Sequence, residues 1–316
     1  MMAWWKRFGR RAATLLLTVL MLLGAAAGEG ADKTVINRIN APDVSADFAF
    51  AEDADLLEII FPQILDCDAA FLRCGGETML IDCATSGQAR RILNMFKQLG
   101  ITHVDKIVNT HPHADHIGEA AEIVEGFKIG KIIMPRVPDD LTPTSSVYED
   151  LLDAAANKGL KIRAARNESF ELGEISVQTY AAEGEYSNLN DYSVVLRLTH
   201  GENSFLITGD CEKQEESELL ERGCDVSADV LKVGHHGSDT SSTSQWLKEV
   251  GAQYAVISCG ADNKYGHPDE ETYSRICKYI KNVYVTAEDG SLAFESDGKG
   301  LTVKPFDTAD AAKGGK

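Results

Sequence analysis

Apolar residues occur along the chain in short runs, and their spacing alternates between that of a strand and that of a helix. Residues 56–61, 69–73 and 77–82 are short, largely apolar runs of the kind that form buried strands. The pair Gly75-Gly76 separates the second run from the third and predicts a tight hairpin turn. The folded part of the chain is therefore expected to begin with β-structure.

Helical spacing first occurs at residues 87–99, where Ile92, Phe96 and Leu99 share one face, and it recurs at residues 117–127. Further strands are predicted at residues 106–109, 131–134, 161–180, 192–199, 204–208, 229–233, 254–258, 283–286, 291–295 and 301–303, and further helices at 147–158, 212–221, 244–250 and 270–280. Strands and helices alternate in two successive halves. This order favours an α/β fold with two sheets and helices on their outer faces.

The first thirty residues have the order of an export segment. Four basic residues precede an apolar run at 12–23, which is followed by small residues at 24–28. The basic residues are Lys6, Arg7, Arg10 and Arg11. The apolar run is short for a membrane span of roughly 20 residues. We expect residues 1–30 to be a signal peptide cleaved after Ala27, with an uncleaved N-terminal anchor as the alternative. Both predict an extracytoplasmic protein, secreted or membrane-anchored in a bacterium.

The remaining chain divides into three parts. Residues 31–50 are predicted to be a polar lead-in, residues 51–306 one domain, and residues 307–316 a flexible tail. The formal net charge of -18 argues against sequence-independent DNA binding through a basic surface. It does not exclude a nuclease, because bound divalent metal can supply local positive charge to a phosphate.

Seven cysteines are present, and no Cys-x-x-Cys pair occurs. A structural zinc knuckle is therefore not indicated. Several of the cysteines lie in apolar runs, where free cysteine serves as a small apolar residue. We expect mostly unpaired, buried thiols.

The densest chemistry lies at residues 110–116, which read THPHADH directly after an apolar strand. His111, His113, Asp115 and His116 place imidazoles and a carboxylate at a strand–helix junction, and these groups are suitable ligands for Zn, Mn or Fe. The alternative is a helix start that carries incidental histidines. Three histidines and one aspartate in so short a run favour a metal site.

The run H-x-H-x-D-H after an apolar strand resembles the signature of the metallo-β-lactamase superfamily. The strand TMLID ending at Asp82, the run LITGD ending at Asp210 and VLKVGHHGS at residues 230–238 are similar to its other motifs. Together with NKYGHP at residues 263–268, they resemble the hydrolase domain of the ComEC competence proteins, which is linked to DNA uptake. The resemblance implies an αββα four-layer metallo-β-lactamase sandwich over about residues 56–303.

The resemblance also implies a set of site residues. The expected metal ligands are His111, His113, Asp115, His116, Asp210 and His235, with Asp210 placed to bridge two ions. His235 is preferred to the adjacent His236 because it is expected to end a strand. The catalytic residues would be Asp115 and His267. Contacts around the metal or substrate are expected from Asp82, Asn190, His236, Ser238 and Asn263.

One further histidine ligand of the superfamily is missing between the first motif and Asp210. His200 is the only histidine in that interval, and it is expected to be a solvated residue in a hairpin turn. Asn188, Asn190 or Asp191 would then take the empty place. The cofactor is expected to be one or two ions of Zn or Mn.

These residues predict hydrolysis by water that the metal activates and that Asp115 orients or deprotonates, with His267 assisting the leaving group. A phosphodiester is the expected substrate, DNA first. Two alternatives stay open: a lactone, lactam or thioester hydrolase on the same fold, and a non-catalytic, metal-stabilised binding module. Contact with a membrane is expected only through an uncleaved N-terminal segment.

Overall fold

The computed structural model describes residues 55–307. Within this range, runs of apolar residues with a period of two form strands, and runs with helical spacing form helices. The predicted export segment, the polar lead-in and almost all of the predicted tail lie outside the described residues. The strands are β1 Leu57–Phe61, β2 Ala70–Cys74, β3 Glu77–Ile81, β4 His103–Val108, β5 Lys128–Met134, β6 Ile162–Ala164, β7 Glu168–Leu172, β8 Ile175–Tyr180, β9 Val195–His200, β10 Asn203–Ile207, β11 Val230–Lys232, β12 Tyr254–Ile257, β13 Asn282–Val285, β14 Leu292–Ser296 and β15 Leu301–Pro305.

The α-helices lie between these strands. They are α1 Ala89–Gln98, α2 Ala114–Ile117, α3 Ala120–Gly126, α4 Ser146–Asn157, α5 Lys213–Glu221, α6 Ser244–Val250, α7 Glu270–Tyr279 and α8 Thr286–Asp289. The helix predicted over residues 117–127 is in fact two short helices that meet at Gly118-Glu119. A Cβ atom on Gly118 would lie 2.4 Å from the backbone nitrogen of Ser86, so the chain passes this point in close backbone contact.

The strands form two mixed sheets. The first has the order β15-β14-β1-β2-β3-β4-β5-β6, and the second has the order β13-β12-β11-β10-β9-β8-β7. Strands β3, β4 and β5 run parallel, as do β10, β11 and β12. The carboxyl ends of parallel neighbours lie at one edge of a sheet, which brings the loops that follow them together.

Side-chain alternation explains why both faces of the second sheet are apolar. In β9, Leu196 and Leu198 pack in the core between the two sheets, whereas Val195 packs in a second core outside the sheet. In β10, Phe205 faces the core between the sheets and Leu206 faces the outer core. Both faces are covered, as the apolar runs predict.

Helices cover the outer faces of the two sheets. Trp246 of α6 and Ile276 of α7 are buried in the outer core of the second sheet. On the first sheet, the ring of Phe96 in α1 lies 5.0 Å from that of Phe71 in β2. The layers are therefore helix, sheet, sheet and helix, which confirms the expected αββα sandwich.

The prediction that His200 is a solvated turn residue is wrong. His200 is the last residue of β9 and is 5% exposed, and its Nδ1 lies 2.9 Å from Ser296 Oγ in the other sheet. The adjacent turn packs against a second turn, because the backbone nitrogen of Glu202 donates a hydrogen bond to the carbonyl of Gly298 at 2.7 Å. This long-range contact buries the histidine.

All seven cysteines lie within the described residues and are free, and five of them are buried: Cys67, Cys74, Cys83, Cys211 and Cys259. The expectation of mostly unpaired, buried thiols is confirmed. Between residues 55 and 307, no helix has the length and apolar character needed to cross a membrane.

Candidate metal centre

Loops at the carboxyl ends of three strands supply the expected metal ligands. The histidine run follows β4, and α2 begins at Ala114, so that Asp115 and His116 lie in its single turn. Asp210 follows β10, and the pair His235-His236 follows β11. Residues far apart in the sequence therefore meet at one edge of the sandwich.

Gly209 allows Asp210 to approach the histidine run. Its φ of +52° lies in the left-handed region, and a Cβ atom there would lie 2.5 Å from Thr110 Oγ1. Only glycine combines this conformation with so close a contact. Asp210 itself is 1% exposed.

Two sets of ligand atoms share Asp210. In the first set, His111 Nε2 lies 2.9 Å from His113 Nδ1 and 3.7 Å from Asp210 Oδ2. In the second set, Asp210 Oδ1 lies 3.2 Å from His116 Nε2 and 3.7 Å from His236 Nε2. Each carboxylate oxygen of Asp210 thus faces a different set.

Asp68 completes the second set, and Asp115 lies next to it. Asp115 Oδ2 lies 3.6 Å from His236 Nε2. Asp68 belongs with His116, Asp210 and His236 to a group whose ligand atoms lie within 4.8 Å of one another. The set therefore offers imidazole nitrogens and carboxylate oxygens from four separate segments.

The second set has the chemistry of a metal site. Four of its buried atoms make no hydrogen bond of suitable geometry within the described residues, although two of them lie 3.2 Å apart: His116 Nε2, Asp210 Oδ1, His236 Nε2 and Asp68 Oδ1. A buried polar atom left unpaired costs about 1–3 kcal/mol. Four-coordinate metal with bonds of about 2.0–2.1 Å holds its ligand atoms about 3.3 Å apart, close to the separations seen in both sets. The donor sets therefore fit divalent metal.

Burial and neighbouring charges tune the ligands. Burial, reinforced by the charge of His116, lowers the pKa of His111 well below its usual range, which keeps its imidazole neutral. Burial opposes the charged form of His116, but the carboxylates of Asp210 and Asp82 outweigh burial and raise its pKa. Burial likewise opposes ionisation of Asp210, yet His116 and His236 hold its pKa well below the usual range.

Asp82 orients His116 from behind. Its Oδ2 lies 2.7 Å from His116 Nδ1, and its Oδ1 accepts a hydrogen bond from the backbone nitrogen of Thr110 at 2.7 Å. The Thr110 hydroxyl also donates to Asp82 Oδ2 at 2.8 Å. A carboxylate on the far nitrogen fixes the ring and leaves Nε2 directed at Asp210.

The structure gives the two adjacent histidines different places. The expectation that His235 ends a strand is wrong, because β11 ends at Lys232 and both histidines lie in a 3₁₀ turn with φ values of 48° and 53°. His236 is buried with Nε2 in the second ligand set. His235 stands on the pocket wall, 23% exposed, with Nε2 3.7 Å from Asp210 Oδ2. The geometry favours His236 as the ligand, against the preference for His235.

A cavity of about 290 Å³ opens over both sets. Its lining includes His113, Asp115, Asn190, Asp210, Tyr265 and His267. Asp115 reaches it with a side chain that is 35% exposed. Burial opposes ionisation of Asp115, but the close contact with His236 and the charge of His116 hold its pKa below the usual value. Burial and the neighbouring His236 and His235 lower the pKa of His267 to about 4.

Other predicted residues shape the loops around the cavity. Asn263 Oδ1 accepts the backbone N–H of His267 at 2.7 Å and thereby holds the turn that carries this histidine. Ser238 Oγ lies 3.1 Å from Thr240 Oγ1 within its own loop. Asn190 lies beside the first ligand set and borders the cavity together with His113.

Sequence reasoning missed two carboxylates. Asp68 lies in the loop after β1, and its Oδ2 accepts a hydrogen bond from the buried Lys232 Nζ at 2.7 Å. This pairing joins residues far apart in the chain, so no local pattern predicts it. Glu212 lies two positions after Asp210, and an acidic residue so close to the Gly-Asp motif was the available signal.

The four-layer sandwich and the cluster of histidines and aspartates at one edge of it define the class of protein. The chain belongs to the metallo-β-lactamase superfamily, whose family model matches residues 64–261.

Two bacterial proteins are similar to this chain in sequence. ComE operon protein 3 of Bacillus subtilis (strain 168) is 29% identical over 220 residues, which cover 67% of this chain and 27% of that protein. Competence protein ComA of Neisseria gonorrhoeae is 29% identical over 231 residues, 72% of this chain and 30% of that protein. The chain thus spans less than a third of the length of these relatives. The similarity to the competence proteins expected from the sequence motifs is confirmed.

A solved structure agrees with the fold. The metallo-β-lactamase fold protein YhfI from Bacillus subtilis superposes with a TM-score of 0.52 at 14% identity, covering 76% of this chain and 100% of that chain. At this identity the likeness concerns the fold alone.

Proposed function

We propose that the protein is an exported, metal-dependent phosphodiesterase with nucleic acid as its leading substrate. The observation that carries the proposal is the position of Asp210, whose two carboxylate oxygens face separate ligand sets beneath an open cavity. Two-metal sites of this kind suit phosphoester hydrolysis, in which both the attacking and the leaving oxygen need stabilisation. The similarity to competence proteins supports nucleic acid as the substrate.

Divalent metal at this centre would activate water and offset the negative charge that builds on the phosphoryl oxygens. Among the chain's own residues, Asp115 borders the cavity with Oδ2 3.6 Å from His236 Nε2, and we assign it to orient the attacking water and to accept its proton. His267 borders the same cavity, with its ring 5.6 Å from that of His235, and its lowered pKa keeps it neutral, so we assign it to hydrogen bonding with the leaving-group oxygen. The position of both side chains on the same cavity supports these roles.

Residues at the rim of the cavity favour a substrate that carries an aromatic base. Tyr265 is 61% exposed, and its ring lies 5.8 Å from that of His267 with an angle of 16° between their planes. Lys264 Nζ lies 4.8 Å from the centre of the Tyr265 ring. An exposed aromatic ring beside a cation is a common platform for unpaired nucleobases. Such local contacts suit a chain whose net charge of -18 offers no general basic surface.

Hydrolysis by purified, metal-reconstituted protein tests the proposal. We expect Mn²⁺- or Zn²⁺-dependent cleavage of bis-p-nitrophenyl phosphate and of single-stranded DNA, abolished by Asp210→Ala. Asp153→Ala, which removes an exposed carboxylate from α4, serves as the matched control and should retain activity. Cleavage of a lactone or thioester with no cleavage of phosphodiesters would contradict the proposal. Stoichiometric metal without turnover of any substrate would instead identify a binding module.

Export is the second part of the proposal, and its support is the order of basic, apolar and small residues over 6–28. Expression in a bacterial host followed by fractionation and N-terminal sequencing tests it. We expect extracytoplasmic protein whose chain begins after Ala27, or full-length protein in the membrane fraction. Full-length protein confined to the cytoplasm would contradict export and leave the enzymatic proposal intact.

A further inference from the structure

The first ligand set has two imidazoles and Asp210, and Asn190 of the loop formed by residues 188–191 borders the cavity beside it. Two of the three polar side chains in this loop are occupied by each other. Asn188 Nδ2 donates to Asp191 Oδ2 at 3.2 Å, and the backbone nitrogen of Asp191 donates to Asn188 Oδ1 at 3.0 Å. Asp191 Oδ1 accepts the backbone N–H of Glu215 at 3.1 Å. These side chains fasten the loop to α5.

Asn190 is different because half of its amide is unused. The residue is 9% exposed and borders the cavity beside His113. Its Nδ2 donates to Glu212 Oε1 at 2.9 Å, whereas its Oδ1 has no hydrogen-bond partner within residues 55–307. A buried amide oxygen without a partner is unfavourable unless something outside the protein chain satisfies it.

Glu212 decides which end of the amide faces the ligand set. A carboxylate only accepts hydrogen bonds, so the nitrogen end of the amide must face it. Glu212 Oε1 also accepts a hydrogen bond from the Thr240 hydroxyl at 2.9 Å and lies 3.0 Å from His235 Nδ1. These contacts hold the Glu212 carboxylate in place. With its nitrogen held there, the amide of Asn190 has a single orientation, in which Oδ1 is directed away from Glu212.

We propose that Asn190 Oδ1 is the fourth protein ligand of the ion held by His111, His113 and Asp210, and that Glu212 is the positioning residue that directs this oxygen to it. The proposal rests on the metal centre of the proposed function. It replaces the alternatives Asn188 and Asp191, and it gives Asn190 a direct role at the metal.

An amide oxygen in place of a third imidazole changes the metal preference. The first set then has two nitrogens and two oxygens, and oxygen donors favour harder ions such as Mn²⁺ over Zn²⁺. We therefore expect the affinity of the first set for Mn²⁺ to be closer to its affinity for Zn²⁺ than it would be in a set with three imidazoles. This metal preference would then depend on a single residue, Asn190.

Competitive calorimetry of the metal-free full chain with Mn²⁺ and Zn²⁺ tests the proposal. Asn190→Leu should weaken Mn²⁺ binding at the first set by roughly tenfold or more, and Glu212→Gln by about tenfold, the scale seen when a supporting residue at a metal is lost. Asn190→His should shift the preference toward Zn²⁺. Asn167→Leu, which alters an asparagine paired with Glu183 away from the site, should change neither affinity.

A measurement on the wild-type chain keeps the test independent of folding in the variants. Asparagine labelled with ¹³C at the side-chain carbonyl should show a hyperfine coupling to bound Mn²⁺ by electron–nuclear double resonance. Absence of this coupling, or unchanged affinities in folded Asn190→Leu and Asn190→His, would overturn the proposal. Hydrolysis is measured separately: metal effects as expected without phosphodiester cleavage would refute the function and leave this assignment standing.

Discussion

At the scale of single residues, the support for His116 distinguishes a metal site from a chance cluster of histidines. Asp82 has a φ of 60°, is 1% exposed, and contacts both Thr110 and His116. Asparagine tolerates the left-handed region, so Asp82→Asn preserves the backbone while removing the charge behind the ring. We expect metal affinity to fall about 10–100-fold.

Isothermal titration of the metal-free protein with Zn²⁺ measures this effect. Asp153→Asn provides a control in which an exposed carboxylate on α4 is changed in the same way. Equal affinities for wild type and Asp82→Asn would show that His116 needs no such support.

Tyr265 carries a second prediction at this scale. Base stacking is worth about 1–3 kcal/mol per base, so Tyr265→Ala should raise KM for single-stranded DNA roughly tenfold with little change in kcat. Tyr265→Phe should retain wild-type KM, because the ring is kept. Steady-state kinetics on an abasic oligonucleotide complete the comparison, since an equal loss there would refute stacking on the base.

At the scale of elements, the turn between β10 and α5 has the strictest sequence requirement. Gly209→Ala would place a methyl group 2.5 Å from Thr110 Oγ1 at a φ of +52°. Left-handed backbone costs a non-glycine residue roughly 1–2 kcal/mol, and overpacking adds about 1–3 kcal/mol. We expect marked destabilisation and weaker metal binding, because Asp210 must move.

Gly223→Ala is the matched control for this prediction. Gly223 has a φ of +68°, and a Cβ atom added there would meet nothing within 4 Å, so only the backbone cost of about 1–2 kcal/mol applies. Urea unfolding of both variants separates the two costs. A Gly209→Ala protein as stable as Gly223→Ala would show that the Thr110 contact is easily relieved.

Most elements could be predicted from the sequence because their side chains alternate or repeat locally. The strands β1, β2 and β3 and the helices α5 and α7 begin and end within a few residues of the predicted positions. The same holds for the histidine run, whose strand–helix junction is a local pattern. The four-layer arrangement followed from the order of the elements and from the family motifs.

The errors concern features that depend on long-range contacts. His200 is buried by a turn of the other sheet. Whether His235 or His236 joins the second ligand set depends on the left-handed turn after β11. Asp68 joins the site through its contact with Lys232. No spacing within one segment specifies such contacts, because each needs the packed sandwich.

At the scale of the whole molecule, a buried glutamate makes stability depend on pH. Glu216 of α5 is 2% exposed and accepts the backbone N–H groups of Ser242 at 2.5 Å and Thr243 at 2.9 Å. Burial, only partly offset by the hydrogen bonds from Thr243, raises its pKa from 4.5 to about 7. The folded state therefore binds the proton more tightly than the unfolded state does.

This difference sets the direction of the effect. The contribution of Glu216 is fully present below pH 4.5 and is lost as the pH rises through about 7; at 1.36 kcal/mol per pKa unit the loss is about 3 kcal/mol. Glu216→Gln should flatten the fall in unfolding free energy between pH 5 and 8 by about this amount. Urea titrations at several pH values measure it, with the exposed Glu221→Gln as control. Parallel pH profiles for wild type and Glu216→Gln would contradict the assignment.

The whole sandwich serves to bring its loops to one edge, where Asp210 joins two ligand sets. Titration of the metal-free protein with Mn²⁺, with bound metal and hydrolysis of bis-p-nitrophenyl phosphate followed together, tests this claim most directly. We predict that hydrolysis rises with occupancy and that Asp210→Ala shows neither tight binding nor turnover. Hydrolysis that persists without metal, or Asp210→Ala protein that binds and cleaves as wild type does, would contradict the account.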